Sequence, residues 1–117
     1  MVPGPRRALS VDLALLKEDE TPDVVVEVKF EPSPARPEFP RNKLPVVGWP
    51  GVVNDIERVA TWVAEGRTRV GIAILIDEGG YQHDRHLPVM GSWSFWGPYG
   101  RSDLSVWVHD FRTFAPR

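Results

Sequence analysis

The sequence contains no cysteine. Disulfide bonds, thiol catalysis and cysteine-ligated zinc or iron–sulfur sites are therefore excluded. No apolar run approaches the roughly 20 residues of a transmembrane helix, and the short apolar stretch near the start is interrupted by Asp12, unlike the core of a secretory signal peptide. The formal net charge of −2 leaves no basic surplus with which to coat nucleic acid through bulk electrostatics. We therefore expect a cytoplasmic protein without a membrane span.

The length and composition are those of one ordinary globular domain. A chain of 117 residues buries about 60–65% of its unfolded surface without covalent staples. Its 42% hydrophobic and 26% charged residues are close to the averages of folded proteins. We predict a single domain over 1–117 whose first eight residues form a flexible N-terminus.

Two apolar segments near the start, 11–16 and 23–30, have the composition of β-strands. The acidic, proline-containing turn 17–22 separates them, which predicts a β-hairpin. Side chains alternate between the faces of a strand. Asp12 therefore lies on one face of the first strand, and Glu27 and Lys29 share one face of the second. A symmetric six-residue turn sets Leu16 opposite Asp23 and Asp12 opposite Glu27.

The facing carboxylates of Asp12 and Glu27 require a cation. Directly opposed residues have Cβ atoms roughly 4.5–5.5 Å apart, and like charges at that separation are destabilising. Lys29 is one candidate for the cation. A divalent metal is another, because two carboxylates, a backbone carbonyl and waters suit octahedral Mg²⁺. The two candidates are compatible with each other.

The segment 31–45 contains five prolines, which block both helix and ladder hydrogen bonds. It is therefore expected to be an extended loop, and it carries Arg36, Arg41 and Lys43. One interpretation is a basic loop that contacts phosphates beside the hairpin. The other is a solvated connector with incidental charges.

Residues 52–65 have the spacing of an amphipathic helix that ends at Gly66. Asn54 or Asp55 is the expected N-cap, and Glu57 completes a capping box with Asn54. Arg58 is either a solvated residue or a phosphate contact. The continuous apolar run 70–76 is typical of a strand buried on both faces. Together these segments predict a β-α-β unit in which the strand 70–76 runs parallel to the Glu27 strand.

The last third of the chain is rich in aromatic residues and turns. Strands are predicted at 92–96 and 104–111, packing as an antiparallel addition to the sheet. Their aromatic residues are candidates for core packing or a dimer interface, with base stacking as the alternative. His83 and His86 with nearby carboxylates could hold a transition metal, although a polar loop after a buried strand explains the same residues.

The pattern Asp12, fourteen residues, then Glu27-Val28-Lys29 resembles the PD-(D/E)XK nuclease superfamily, which has the restriction-endonuclease-like fold. The resemblance covers about 9–78, with 79–117 as a C-terminal β extension. It implies that Asp12, Glu27 and the Val28 carbonyl hold Mg²⁺ or Mn²⁺, and that Lys29 orients a water or stabilises the transition state. With such a site, the phosphate-contacting interpretation of the loop and the helix makes Arg36, Arg41, Lys43 and Arg58 the candidate substrate-binding residues.

The chain departs from the superfamily at its start, where a helix and a strand usually precede the Asp-bearing strand. Either the fold is abbreviated, or a partner chain or the C-terminal segment replaces them. The predicted fold is α/β (α+β): a mixed sheet with an N-terminal hairpin, one crossover helix and a C-terminal aromatic β addition. The predicted function is metal-dependent hydrolysis of DNA phosphodiester bonds, with a homodimer or a partner subunit. The alternatives are a non-catalytic binding or regulatory relative and an unrelated small structural α/β protein.

Overall fold

A computed structural model describes residues 12–33, 45–87, 90–98 and 105–116. Arg36, Arg41 and Lys43 of the proline-rich loop and the first eight residues lie outside the described residues. The elements in chain order are β1 (Leu13–Leu16), β2 (Pro22–Glu31), α1 (Trp49–Ala64), β3 (Val70–Glu78), α2 (Tyr81–Arg85), β4 (Ser92–Pro98) and β5 (Ser105–Phe114).

The strands form one mixed sheet in the order β1-β2-β3-β5-β4. β2 and β3 run parallel and are joined through α1, whereas β1 with β2, β3 with β5 and β4 with β5 are antiparallel. This arrangement confirms the predicted mixed sheet with its N-terminal hairpin, crossover helix and antiparallel C-terminal addition. The short helix α2 lies where the sequence suggested a polar loop.

The hairpin register differs from the prediction at the turn but not beyond it. Leu16 pairs with Pro22 rather than Asp23, because the register shifts between Leu15 and Leu16. Glu20 adopts a left-handed conformation with φ 66°, so the turn is not symmetric. From Leu15 onwards the pairs follow the predicted count, and Leu13 lies opposite Val26. The next position sets Asp12 level with Glu27.

Helix α1 begins three residues before the predicted start. Gly48 is its N-cap and Pro50 stands in the first turn, where a missing backbone N–H costs nothing. The prediction of Asn54 or Asp55 as the N-cap was therefore wrong. Asp55 instead lies in the second turn and is buried against the sheet. The helix ends as expected, since Gly66 follows it with a left-handed φ of 76°.

The hydrophobic core lies between α1 and one face of the sheet. Its members are buried apolar residues from β2, α1, β3 and the segment before α1: Val25, Val47, Val52, Ile56, Val59, Trp62, Ala73 and Leu75. Trp49, Trp93 and Phe111 pack against them. Core packing, the favoured role for the aromatic residues, therefore holds for these three. Phe95 and Trp96 remain more than half exposed.

The other face of the sheet is apolar but has no helix of the described residues against it. Because side chains alternate between the two faces of a strand, this face carries apolar residues from three strands. They are Leu13 and Leu15 of β1, Val24, Val26, Val28 and Phe30 of β2, and Ile72, Ile74 and Ile76 of β3. Leu13 and Leu15 are 53% and 56% exposed, and Phe114 on β5 is 61% exposed. No helix among the described residues is long and apolar enough to cross a membrane.

Gly71 of β3 packs closely against α1. A Cβ at this position would lie 2.9 Å from the Val59 carbonyl oxygen and 3.0 Å from the Val59 Cβ. We expect Gly71→Ala to reduce the free energy of unfolding by about 1–3 kcal/mol, because the helix must shift outward. Urea unfolding followed by circular dichroism measures the change. Gly48→Ala is the control, since its Cβ would meet no atom closer than 3.8 Å. Equal effects of the two substitutions would contradict the packing argument.

Candidate active site

Asp12 lies beside the central residues of β2. Its Oδ2 accepts a hydrogen bond from the backbone N–H of Val28 at 2.7 Å. The carboxylate is therefore held next to Glu27, and its negative charge contributes to the raised pKa of Glu27. The predicted proximity of Asp12 and Glu27 is what the structure shows.

Glu27 points towards α1 and forms an ion pair there. Its Oε1 accepts a hydrogen bond from Nη1 of Arg58 at 2.9 Å, and the same Nη1 lies 3.2 Å from Oδ1 of Asp55. The Glu27 and Asp55 side chains are 7% exposed, against 44% for Arg58. Burial raises the pKa of Glu27, although the hydrogen bond from Arg58 opposes the shift. Two buried carboxylates thus share one surface cation.

Lys29 lies on the same side of β2 as Glu27, as alternation predicted, and it also reaches α1. Its Nζ is 3.4 Å from Oδ2 of Asp55. Lys29 was one candidate for the cation between Asp12 and Glu27, and among the described residues its ion-pair partner is Asp55. Arg58 is the cation that contacts Glu27.

An open groove of about 480 Å³ runs beside Lys29. Its other walls are Phe30 and the start of α1 with the segment before it: Val46, Val47, Gly48, Pro50 and Gly51. A Cβ at Gly51 would lie at ordinary contact distance from Lys29, 3.4 Å from Cε. Since the groove is open and the Lys29 side chain is 34% exposed, an anion in the groove can approach Lys29 from solvent.

The donors near Asp12 are of the kind that Mg²⁺ prefers. Carboxylate oxygens from Asp12 and Glu27 and the backbone carbonyl of Val28 are hard ligands. Among the described residues, however, no three carboxylates or histidines are gathered closely enough to hold a metal ion. The donor atoms are therefore of the type that Mg²⁺ binds. Oε1 of Glu27, however, already accepts a hydrogen bond from Arg58.

Sequence reasoning missed the part that Asp55 plays. Its position was identifiable, because Val52, Asp55, Ile56 and Val59 follow the i, i+3, i+4, i+7 spacing of one helix face. An acidic residue within the apolar stripe of a helix is buried only where a cation pairs with it. The partners, Arg58 one turn later and Lys29 on β2, appear only once the helix is placed on the sheet.

A second buried polar cluster lies at the carboxyl ends of β2 and β3. The carboxylate of Glu31 accepts hydrogen bonds from Gln82 at 3.2 Å and from two backbone N–H groups before α1, at 3.0 and 2.8 Å. Asp77 accepts one from the His83 backbone at 2.7 Å. Burial raises the pKa of Asp77 despite its backbone hydrogen bonds. This cluster ties both helices to the sheet.

The three histidines contact tryptophan rings. His83 stacks on Trp107 with centroids 3.5 Å apart, and His86 stacks on Trp49 at 4.3 Å. His109 lies edge-on to Trp49 at 5.6 Å, and burial lowers its pKa. Among the described residues, His83 and His86 belong to no group of three side chains that could hold a transition metal.

Comparisons of this chain with protein-family models, with curated proteins and with solved structures gave no match.

Proposed function

We propose that the chain is a divalent-metal-dependent hydrolase of DNA phosphodiester bonds. The observation that carries the proposal is the placement of Asp12 beside Glu27 on the hairpin, with Lys29 on the same side of β2 next to an open groove. Asp12, Glu27 and the Val28 carbonyl would hold Mg²⁺ or Mn²⁺. The metal, when bound, would acidify a water and neutralise charge on the phosphate.

Lys29 has the clearest role among the side chains themselves. Its side chain borders the groove and is 34% exposed, while its ammonium group pairs with buried Asp55. It is therefore placed to contact a phosphate oxygen, or the water that attacks it, and to stabilise the negative charge that builds there. Arg36, Arg41 and Lys43 are proposed to contact the DNA backbone, which would supply local positive charge in a chain of net charge −2.

The test is cleavage of linear, supercoiled and branched DNA by the purified chain with Mg²⁺ or Mn²⁺, with EDTA as the negative control. Metal-dependent products on any of the three substrates are the expected result. Absence of cleavage on all three, at micromolar protein and with both metals, would reject the catalytic proposal.

A non-catalytic relative that binds DNA or regulates a partner is the second candidate. The ion pair between Arg58 and Glu27 favours it, because the buried carboxylate is neutralised without a metal. Binding of the same DNA substrates without cleavage, unaffected by EDTA, would support this candidate.

We further propose that the chain forms a two-fold dimer through the apolar face of the sheet against which no helix of the described residues packs. At least five large side chains on this face are 40% or more exposed: Leu13, Leu15, Val28, Phe30 and Phe114. With the isoleucines of β3 beside them, they form an apolar surface across β1, β2 and β3. A second copy offers the same sheet twist and the same apolar side chains, so a two-fold pair can bury both surfaces at once.

Light scattering at about 10 µM tests the dimer. We expect the double substitution Leu13→Lys/Leu15→Lys to weaken dimerisation by at least about 100-fold, because it buries two charges in the interface. Both residues are exposed on an edge strand, so the monomer should still fold. Thr61→Lys on the exposed side of α1 is the control. A monomeric parent chain, or a dimer that survives the double substitution, would mean that something other than a second copy covers this face.

A further inference from the structure

A second cavity lies at the end of the sheet where β2 and β3 begin, between the hairpin turn, the loop from α1 to β3 and the residue after β5. Its volume is about 330 Å³. Its lining residues are Lys17, Thr21, Pro22, Gly66, Arg67, Thr68, Arg69 and Ala115. Pro22 and Lys29 are separated along β2 by roughly 23 Å, at about 3.3 Å of rise per residue. The cavity is therefore distinct from the groove beside Lys29.

The charged residues that line this cavity are all cationic. Lys17 comes from the hairpin turn, and Arg67 and Arg69 come from the loop after α1. No aspartate or glutamate of the described residues belongs to the lining. Three positive charges around one cavity repel one another, and an anion bound between them removes that repulsion.

Arg67 has hydrogen-bonding capacity to spare. Its side chain is only 34% exposed, and its Nε lies 3.8 Å from Oε1 of exposed Glu65, which is too long for a hydrogen bond. A guanidinium group carries five N–H donors, and donors removed from water need acceptors. The oxygen atoms of an anion in the cavity would supply acceptors for Arg67.

Arg69 is held in place by a carboxylate outside the lining. Its Nε and Nη2 donate to the two oxygens of Asp23 at 2.8 and 3.4 Å. This forked pair fixes the plane of the guanidinium group, and it leaves Nη1 available on a side chain that is 56% exposed. Arg69 therefore presents a positioned donor to the cavity.

The backbone around the cavity is held by its own hydrogen bonds. The Lys17 N–H donates to the Thr21 carbonyl at 2.9 Å, and the Ala115 N–H donates to the Arg69 carbonyl at 2.7 Å. These bonds fix the turn and join the loop after α1 to the end of β5. The walls are thus formed before a ligand arrives, which reduces the entropy lost on binding.

We propose that this cavity binds a phosphate monoester of a small molecule, with Lys17, Arg67 and Arg69 contacting the phosphate group. Such a group has three terminal oxygens and a charge of about −1.5 to −2 at neutral pH, which suits three cationic side chains better than a carboxylate does. Arginine also matches the geometry of phosphate with its planar fork of donors. The inference does not depend on the proposed nuclease function.

The size of the cavity and the charges around it favour a small ester over a nucleic-acid strand. A volume of about 330 Å³ is at the lower end of the range for small-molecule sites. Glu18 and Glu20 are exposed on the turn, and Glu65 is exposed at the end of α1, where the helix dipole is also negative. The further phosphates of a strand that extended past the cavity would be repelled by these charges.

Titration of the ¹⁵N-labelled chain with ribose 5-phosphate, followed by ¹H–¹⁵N NMR, tests the site and its location. The amide signals of residues 66–69 should shift in a saturable manner. Arg67→Gln should raise the dissociation constant at least about tenfold, because it removes a charge and a fork of donors. Lys17→Gln should raise it at least about fivefold. Arg85→Gln is the control, because it removes the same charge from α2, which follows the other end of β3.

Three results would overturn the inference. The first is the absence of saturable shifts at millimolar ribose 5-phosphate, or an affinity that Arg67→Gln and Lys17→Gln change no more than Arg85→Gln does. The second is acetate binding as tightly as ribose 5-phosphate, which would remove the assignment to phosphate. The third is tighter binding of octathymidylate with a 5′-phosphate, which would replace the small ester by a DNA end. Lys17 is exposed, so Lys17→Gln decides the test if the spectrum of Arg67→Gln is that of an unfolded chain.

Discussion

Glu27→Ala is expected to lower metal-dependent DNA cleavage by at least about a thousandfold. Glu27 is the buried carboxylate of β2 beside Asp12, and its loss removes a proposed ligand of the metal, which contributes several kcal/mol to transition-state stabilisation. Asp12→Ala should have a similar effect. Lys29→Ala should reduce the rate by about 10²-fold and leave Mn²⁺ affinity largely intact, because Lys29 would act on the phosphate or the water.

Rates should be measured on the DNA form that the parent chain cleaves best, with Mn²⁺ affinity determined in parallel. Glu57→Ala is the matched control, since it removes the same carboxylate from an exposed position on α1. The side chain of Arg58 is 44% exposed, so in Glu27→Ala its charge stays in contact with water and we expect the variant to fold. Circular dichroism verifies the fold. Cleavage unaffected by all three substitutions would place the activity elsewhere, whether at another site or in a contaminant.

Asp77→Asn is expected to stabilise the protein at pH 8 by about 1–3 kcal/mol and to change its stability little near pH 4. Oδ2 of Asp77 accepts the His83 N–H, whereas the fully buried Oδ1 has no partner among the described residues. An unsatisfied buried group costs about 1–3 kcal/mol, and more when it is charged, as the ionised carboxylate is at pH 8. Asparagine keeps an acceptor for His83 and carries no charge.

The pH dependence follows from the raised pKa of Asp77, whose main cause is burial. Between the unfolded pKa and the higher folded pKa, the folded state binds more protons than the unfolded state. The contribution of Asp77 is therefore fully present below the unfolded pKa and is lost as the pH rises through the folded pKa. Asp77→Asn should remove this decline from the stability profile.

Urea unfolding at a series of pH values measures the Asp77 effect. Asp23→Asn is the contrasting variant, because the hydrogen bond from Arg69 lowers the pKa of Asp23. Its contribution is present above the unfolded pKa and is lost as the pH falls through the folded pKa, so its slope has the opposite sign. A less stable Asp77→Asn at pH 8 would show that the ionised carboxylate is the stabilising form.

The local sequence pattern was sufficient to predict the strands and which of their residues share a face. Alternation placed Glu27 and Lys29 on one side of β2, and the count along the hairpin brought Asp12 level with Glu27, because these depend only on the two-residue repeat of a strand. The apolar run at β3 and the spacing of α1 likewise predicted the parallel pair and its crossover helix. The C-terminal strands were identifiable from their β-branched and aromatic residues.

The ends of the helices and strands were harder to predict than whether a segment is a helix or a strand. The symmetric turn failed because Glu20 takes a left-handed conformation and shifts the pairing of Leu16. The helix start was misplaced because Gly48 and Pro50 begin α1 without a side-chain cap, whereas the capping residues at Asn54 and Asp55 suggested a later start. A polar residue in the second turn of a helix has the same local appearance as a cap.

The sequence by itself determined which residues share a face of each hairpin strand and how Leu13, Ala14 and Leu15 pair with β2, since those properties are local and periodic. Only the tertiary structure decided that Asp55 and Arg58 join Glu27, that Lys29 pairs with Asp55, and that His83 and His86 stack on tryptophans. Those contacts connect elements far apart in the chain, and they depend on the position of α1 across the sheet. That position is set by the summed packing of the core, which no short segment of sequence contains.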